Sequence, residues 1–302
     1  MPGARAGGSR HRRRREALAG LLLLVPLLTL VLALVAVPIA WGIGLSLTDA
    51  HLLRPGPPRF VGLANYHDLL ADARIWGYAL NTAVWAGGKL VLQLVIALGL
   101  ALLLNRHLRF RAFWRAVVIL PWAMPAAVTG LTWRWILDGE VGVLNRVLGH
   151  LGVLSAPVTW LADPVWMWPT VIAVHAWQFF PFMYVSFLAG LQLVPRETRE
   201  AAHLDGAGAW SAFRHVTWPL LRPVAAVNGL LGLIWGLGDF SAIWTLTQGG
   251  PGGLTMTLAP FAYLTTFRFL DTGRGAALAV GLALTTTALS AVYLRRVRFD
   301  LT

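Results

Sequence analysis

One carboxylate stands apart in this sequence of 302 residues: Asp239 interrupts a run from Pro223 to Gln248 that is otherwise free of charge. A charge at the centre of an apolar run must pair, face water or become neutral. Two roles are open to it. It could line a water-filled path, where its oxygens would accept bonds from solute hydroxyls, or it could pair with an arginine of a neighbouring helix or partner subunit. Asn228, Trp235, Phe240 and Trp244 share its run, and Gln178 lies beside Trp177 in another. Each is a path candidate, with ordinary helix packing as the competing role. His175 reads as a neutral hydrogen-bonding group between helices. Lys89 and Arg134 fall near the expected outer boundaries, where long side chains can reach water, and neither is assigned a function.

Most other chemistry is excluded. A phosphate loop needs Gly-x-x-x-x-Gly-Lys-Ser/Thr, and the only lysine, Lys89, is followed by Leu90. There is no His-Glu-x-x-His pair and no Gly-x-Ser-x-Gly, so hydrolase readings lack their metal ligands or nucleophile. With no cysteine, disulfides and thiolate metal sites are impossible. The expectation is a chain that is not an enzyme and holds no cofactor or metal of its own.

The elements that position these residues follow from composition. Hydrophobic residues make up 57% and charged residues 13%, against about 25% charged in ordinary soluble domains. Residues 17–48, 116–133, 164–195, 240–267 and 275–294 contain no Asp, Glu, Lys or Arg. Each approaches or exceeds the roughly 20 residues that cross about 30 Å of hydrocarbon. Two more stretches, 75–105 and 223–248, are broken only by Lys89 and Asp239. The reading is an all-α integral membrane protein of six helices, over about 17–46, 78–105, 114–137, 165–194, 220–247 and 275–295. A basic tail, 1–16, precedes a membrane domain, 17–302. The first run is too long for the 7–15-residue apolar core of a signal peptide, so a retained helix is expected.

An even number of spans puts both termini on one side, and arginine decides which. The N-terminal tail holds Arg5, Arg10 and Arg12 to Arg15; the second and fourth loops hold four arginines each; the C-terminal tail holds Arg295, Arg296 and Arg298. The net charge of these segments equals the +12 of the whole chain, and the opposite loops are near neutral. Both termini are therefore expected in the cytoplasm. The basic excess belongs to topology and anionic lipid headgroups, not to nucleic acid. Trp133, Trp135, Trp166, Trp168 and Trp244 lie close to span ends, as an interfacial belt would.

The loop 195–219 differs from everything else. Pro195 suits a first helical position, and Glu197 and Glu200 favour the positive end of that helix. Gly206 and Gly208 then break it. A second short helix is expected from about Ala209 to Thr217, stopped before Pro219. Two short helices joined by a glycine turn would project from the membrane, with Ala201 and Ala202 offering a surface that another protein can approach closely.

Glu200-Ala201-Ala202, Gly206 and Val216-Thr217-Trp218-Pro219 resemble the cytoplasmic signature loop of ABC importer permeases of the binding-protein-dependent type. That pattern is Glu-Ala-Ala, three residues, Gly, nine residues, Ile, any residue, Leu-Pro. The spacing is kept throughout, with Val216 for the isoleucine and Trp218 for the leucine. Residues 188–195 and 246–252 look like the maltose-type carbohydrate branch, and residues 60–66, 101–105 and 119–122 are similar to the first of its two permease subunits.

The resemblance implies the type I importer permease fold, a heterodimer with a second homologous permease, two cytoplasmic ABC ATPase subunits that carry ATP and Mg2+, and an extracytoplasmic solute-binding protein. It also implies roles in the loop: Glu200 as polar anchor, Ala201 and Ala202 as contact surface, Gly206 as turn, Asp205 as cap for the second short helix, with Val216 and Pro219 closing the motif. The implied function is inward movement of a sugar or sugar-like solute. An importer of the same fold for an amino acid, phosphate or polyamine stays open. So does an ion-coupled carrier, for which Asp239 is the only coupling-ion ligand in the spans.

Overall fold

In the computed structural model, residues 23–106 and 108–297 are described; the basic tail 1–16 lies outside them. Among the described residues the chain is helical, apart from one antiparallel bridge between Thr48 and Phe60. Helix α1, Leu23–Ser46, is apolar on every side with no buried window. In water such a helix would expose most of its surface, whereas in hydrocarbon the same surface is satisfied.

After an irregular segment and the short α2 (Ala64–Ala71) comes α3 (Ala73–Leu104). Asp72 caps it, accepting from Arg74 N at 3.0 Å. Helix α4 (Arg111–Ile119) passes through a 3-10 turn, Leu120–Ala123, into α5 (Ala126–Ile136). The stretch expected as one span over 114–137 is thus two helices, bent by 95°. Pro125 is the cause. It holds Met124 extended, at φ −79° and ψ 133°, because the proline ring excludes a helical residue before it.

The connection from α5 to the next long helix carries α6 (Val143–His150). One buried side chain ties it together: Asn145 Nδ2 donates to Gly139 O and Val158 O, both at 2.9 Å, while Oδ1 accepts from Trp160 Nε1 at 2.8 Å. Asp138 turns the chain just before, and the Val141 and Glu140 amides hold its carboxyl below the usual carboxylate range. Asn145→Ala leaves several buried groups unpaired, at about 1–3 kcal/mol for such a group. The expected result is faster proteolysis of 139–165 with the spans intact, read by limited digestion.

Helix α7 (Met167–Leu193) leads into α8 (Arg196–Leu204), and α9 runs from Ala209 to Leu237. The second short helix is not stopped before Pro219: α9 passes through it, by way of a π turn over Phe213–Thr217. Proline removes a donor and crowds the preceding turn, and the wider π turn accommodates it. The expected span 220–247 is also interrupted. It ends at Leu237 and resumes as α10 (Ser241–Leu246), before α11 (Leu258–Tyr263) and α12 (Thr272–Arg296).

The centre is α3 packed along α7, with α9 against both. Ala97 and Ala101 of α3 meet Phe180, Tyr184 and Phe187 of α7 and Leu221 of α9. Trp85, Val171, Val174 and Ile243 form a second cluster. Five helices are long and apolar enough to cross a membrane, or six if the bent pair α4–α5 counts as one.

Candidate functional site

Glycine spacing on α9 sets up the site. A Cβ on Gly236 would stand 3.0 Å from Ala86 Cβ and 3.2 Å from Lys89 Cε, so only glycine lets α9 approach α3 this closely. Two residues on, at Gly238, the helix ends, and Asp239 falls in the gap before α10 rather than inside a helix.

Lys89 meets it there. Its Nζ donates to Asp239 Oδ2 at 2.7 Å, and the Lys89 side chain is 2% exposed. The expectation that Lys89 reaches water at a boundary is therefore wrong, and the partner of Asp239 is this lysine, not an arginine. His175 of α7 contributes a second contact, Nε2 to Oδ2 at 2.9 Å, and Gln93 Nε2 lies 3.2 Å from His175 Nδ1. One assignment satisfies both: Gln93 donates to Nδ1, and a neutral imidazole donates from Nε2 to the carboxylate. Stacking on Phe179, with ring centroids 4.5 Å apart, fixes the ring. Lys89 and Gln93 are one turn apart on α3, and Trp85, one turn before, places its ring 4.7 Å from Nζ.

Asp239 opens onto a cavity of about 290 Å³, near the lower end of the roughly 300–1,000 Å³ of small-molecule sites. Trp235, Phe240 and Phe179 give it aromatic walls; Thr129, Ser241 and Thr245 add hydroxyls. Gln178 also lines it, but its Nε2 donates to Met124 O at 3.0 Å, bracing the bend before α5. Four of the path candidates, Asp239, Trp235, Phe240 and Gln178, are thus brought together. Trp244 is not a lining residue and stacks on Phe240 with centroids 5.2 Å apart. Asn228 is buried deeper in α9, with both amide atoms unpartnered. Thr129 and Thr245 were not singled out by the sequence, and Lys89 was noted there without a function.

Gly130 brings α5 onto α10: a Cβ there would strike the Thr245 side chain. Glycine to alanine in a helix normally gains about 1 kcal/mol. For Gly130→Ala the sign is expected to reverse, with a loss of about 1–3 kcal/mol from overpacking, seen as a lower thermal midpoint of the purified protein.

A second feature lies at the loop. Gly206 adopts φ +80°, and Asp205 N and Ala207 N donate to Ala201 O and Ala202 O, both at 2.9 Å, closing the end of α8. Glu200, Ala201, Asp205 and Pro219 are exposed, Ala202 and Val216 partly so. Asp205 does not cap the start of α9; Gly208 occupies that position, without a side-chain bond. The left-handed turn at Gly206 separates Asp205 from α9, and the residue that directly precedes the helix is Gly208. Leu204 is 88% and Trp210 70% exposed, an apolar pairing that invites a partner.

The chain matches the family described as "Binding-protein-dependent transport system inner membrane component" over residues 93–297. It is 35% identical to the trehalose/maltose transport system permease protein MalF of Thermococcus litoralis, over 94% of this chain and 95% of that protein. It is also 35% identical to the sulfoquinovosyl glycerol transport system permease protein SmoG of Agrobacterium fabrum, over 94% and 91%. The diacetylchitobiose uptake system permease protein DasB of Streptomyces coelicolor is 32% identical, over 97% and 91%. In fold the chain is similar to a crystal structure of a bacterial ABC transporter that imports alginate, with a TM-score of 0.81 at 21% identity, covering 97% of this chain and 99% of that one. The chain belongs to the binding-protein-dependent transport system inner membrane components, and is a multi-pass permease subunit of an ABC importer.

Proposed function

We propose that this permease moves a sugar or sugar-like solute inward, as one of two non-identical channel subunits driven by a pair of ATPases. It has six spans, with α4–α5 as one bent span, and both termini lie in the cytoplasm. The observation that carries the reading is the cavity at the Asp239 break, which combines an acceptor carboxylate, hydroxyls and the faces of Trp235 and Phe240. Sugars are recognised by such a mixture, since their hydroxyls donate to oxygen and their C–H faces lie on aromatic rings. Three relatives named for trehalose or maltose, sulfoquinovosyl glycerol and diacetylchitobiose agree with it. The second permease would complete the cavity wall, and a soluble binding protein would deliver the solute from outside.

In this reading the exposed loop from Glu200 to Gly206 docks on an ATPase subunit. Because α9 runs unbroken from Ala209 to Leu237, movement at its cytoplasmic end would reach the Asp239 break as rigid-body motion. ATP and Mg2+ belong to the ATPases, and this chain is not catalytic. An ion-coupled carrier is disfavoured because Asp239 already has Lys89 as its counter-charge.

The test is co-purification followed by reconstitution. ATPase subunits should accompany the chain, and labelled maltose or trehalose should enter vesicles only with ATP and the binding protein. Uptake by this chain alone on an ion gradient, or ATP-driven uptake of an amino acid, phosphate or polyamine with no sugar, would overturn the reading.

A further inference from the structure

We propose that the Lys89–Asp239–His175 cluster is a charge-sign filter, presenting a carboxylate to the cavity that favours neutral and amine-bearing sugars and rejects acidic ones. The inference rests on the cavity being the sugar path, and it adds which class of sugar passes.

Placement sets the sign. Lys89 is 2% exposed and does not line the cavity, whereas Asp239 is 12% exposed and does; His175, 7% exposed, lines it beside Asp239 as a neutral donor. A solute therefore meets the negative member of the pair first, with the ammonium screened behind it. Both cluster donors are spent on the same oxygen: Lys89 Nζ at 2.7 Å and His175 Nε2 at 2.9 Å reach Oδ2. Oδ1 has only a long contact from Ala242 N, at 3.4 Å, and keeps lone pairs for a solute. A carboxylate accepts and does not donate. It can bond a sugar hydroxyl or ammonium, but places like charge against a uronate, sulfonate or phosphate.

Among the described residues, no cation lining the cavity offsets this. His175 lines it as the neutral imidazole that donates to Asp239, and the other side chains around it are aromatic, aliphatic, hydroxyl or amide groups. The amide of Gln178 has its NH2 turned to Met124 O, so it presents its carbonyl oxygen, another acceptor. Lys89 acts as a positioning residue: its bond and that of His175 aim the carboxylate, and Lys89 itself does not line the cavity. The local field is thus set by which end of the ion pair faces the cavity, although the cluster as a whole is neutral.

The experiment uses the assembled transporter, with its permease partner and ATPases, in lipid nanodiscs without the soluble binding protein. Glucosamine, glucose and glucuronate are titrated calorimetrically at pH 7. Wild type is expected to bind glucosamine and glucose at least about tenfold more tightly than glucuronate, a tenfold step being about 1.4 kcal/mol. Lys89→Arg should keep that ranking. Asp239→Asn leaves a buried lysine unpaired, so the double variant Lys89→Met/Asp239→Asn is measured beside it. The double variant should lose the discrimination, its affinities for the three sugars falling within about threefold of one another.

Equal wild-type affinity for glucuronate and glucosamine, or an unchanged ratio in the double variant, overturns the filter while glucose binding upholds the sugar reading. If wild type binds no sugar, spermidine and inorganic phosphate are compared. Spermidine preferred over phosphate, with the preference lost in the double variant, keeps the filter and removes the sugar reading. Any other ranking, including no binding, removes both.

Discussion

Lys89→Met is expected to cost the folded protein about 3–5 kcal/mol, the usual effect of leaving one member of a buried ion pair without its partner. The side chain is 2% exposed and its Nζ is 2.7 Å from Asp239 Oδ2, so its loss removes the counter-charge of a largely buried carboxylate. His175 remains as a donor to the carboxylate, but as a neutral imidazole it does not cancel the charge. Asp239→Asn alone strands the ammonium and should cost a comparable amount. The double variant should recover most of the loss, because a buried pair replaced as a unit is often near neutral. The double variant should then cost far less than the two single losses added together, and that difference is the interaction energy of the pair. Thermal midpoints and yields of the four purified proteins measure it. Additive losses would mean that the two residues stabilise the fold independently.

The second large effect is expected at the loop. Gly206 adopts φ +80° with open space around its missing Cβ, so the obstacle to a side chain is the backbone conformation and not a clash. Gly206→Leu is expected to cost the turn about 1–2 kcal/mol, as left-handed backbone does for residues with a Cβ. That is roughly a five- to thirtyfold shift in its population. Because the turn is exposed and remote from the α3–α7 core, insertion and fold should survive. Substrate-stimulated ATP hydrolysis and uptake should separate, with uptake falling at least about tenfold. Normal uptake together with normal stimulated hydrolysis would remove the proposed coupling role of the turn.

These two positions also differ in how they could be read. Gly206 was legible because the information is local: glycine spacing behind an alanine pair, at a fixed distance from a proline, describes a turn wherever it sits. Lys89 was not. Its place in a long apolar run is compatible with a side chain extending to water, and nothing local says that α9 carries glycine at Gly232 and Gly236 to bring Asp239 within reach.

Sequence by itself determined the solvent, since runs without charge and too long for a core helix belong in hydrocarbon, and α1 is apolar on every face. It determined the family loop, and that Asp239 needed an answer to its charge. Tertiary structure alone decided what that answer is. It placed Asp239 in a helix break, chose Lys89 and His175 as its partners, bent the stretch 111–136 at Pro125, and excluded Asn228 and Trp244 from the cavity. The physical reason is one of range. Hydropathy and turn chemistry act within a few residues, whereas an ion pair between residues 89 and 239 depends on how closely two helix backbones approach, and that distance is set by packing.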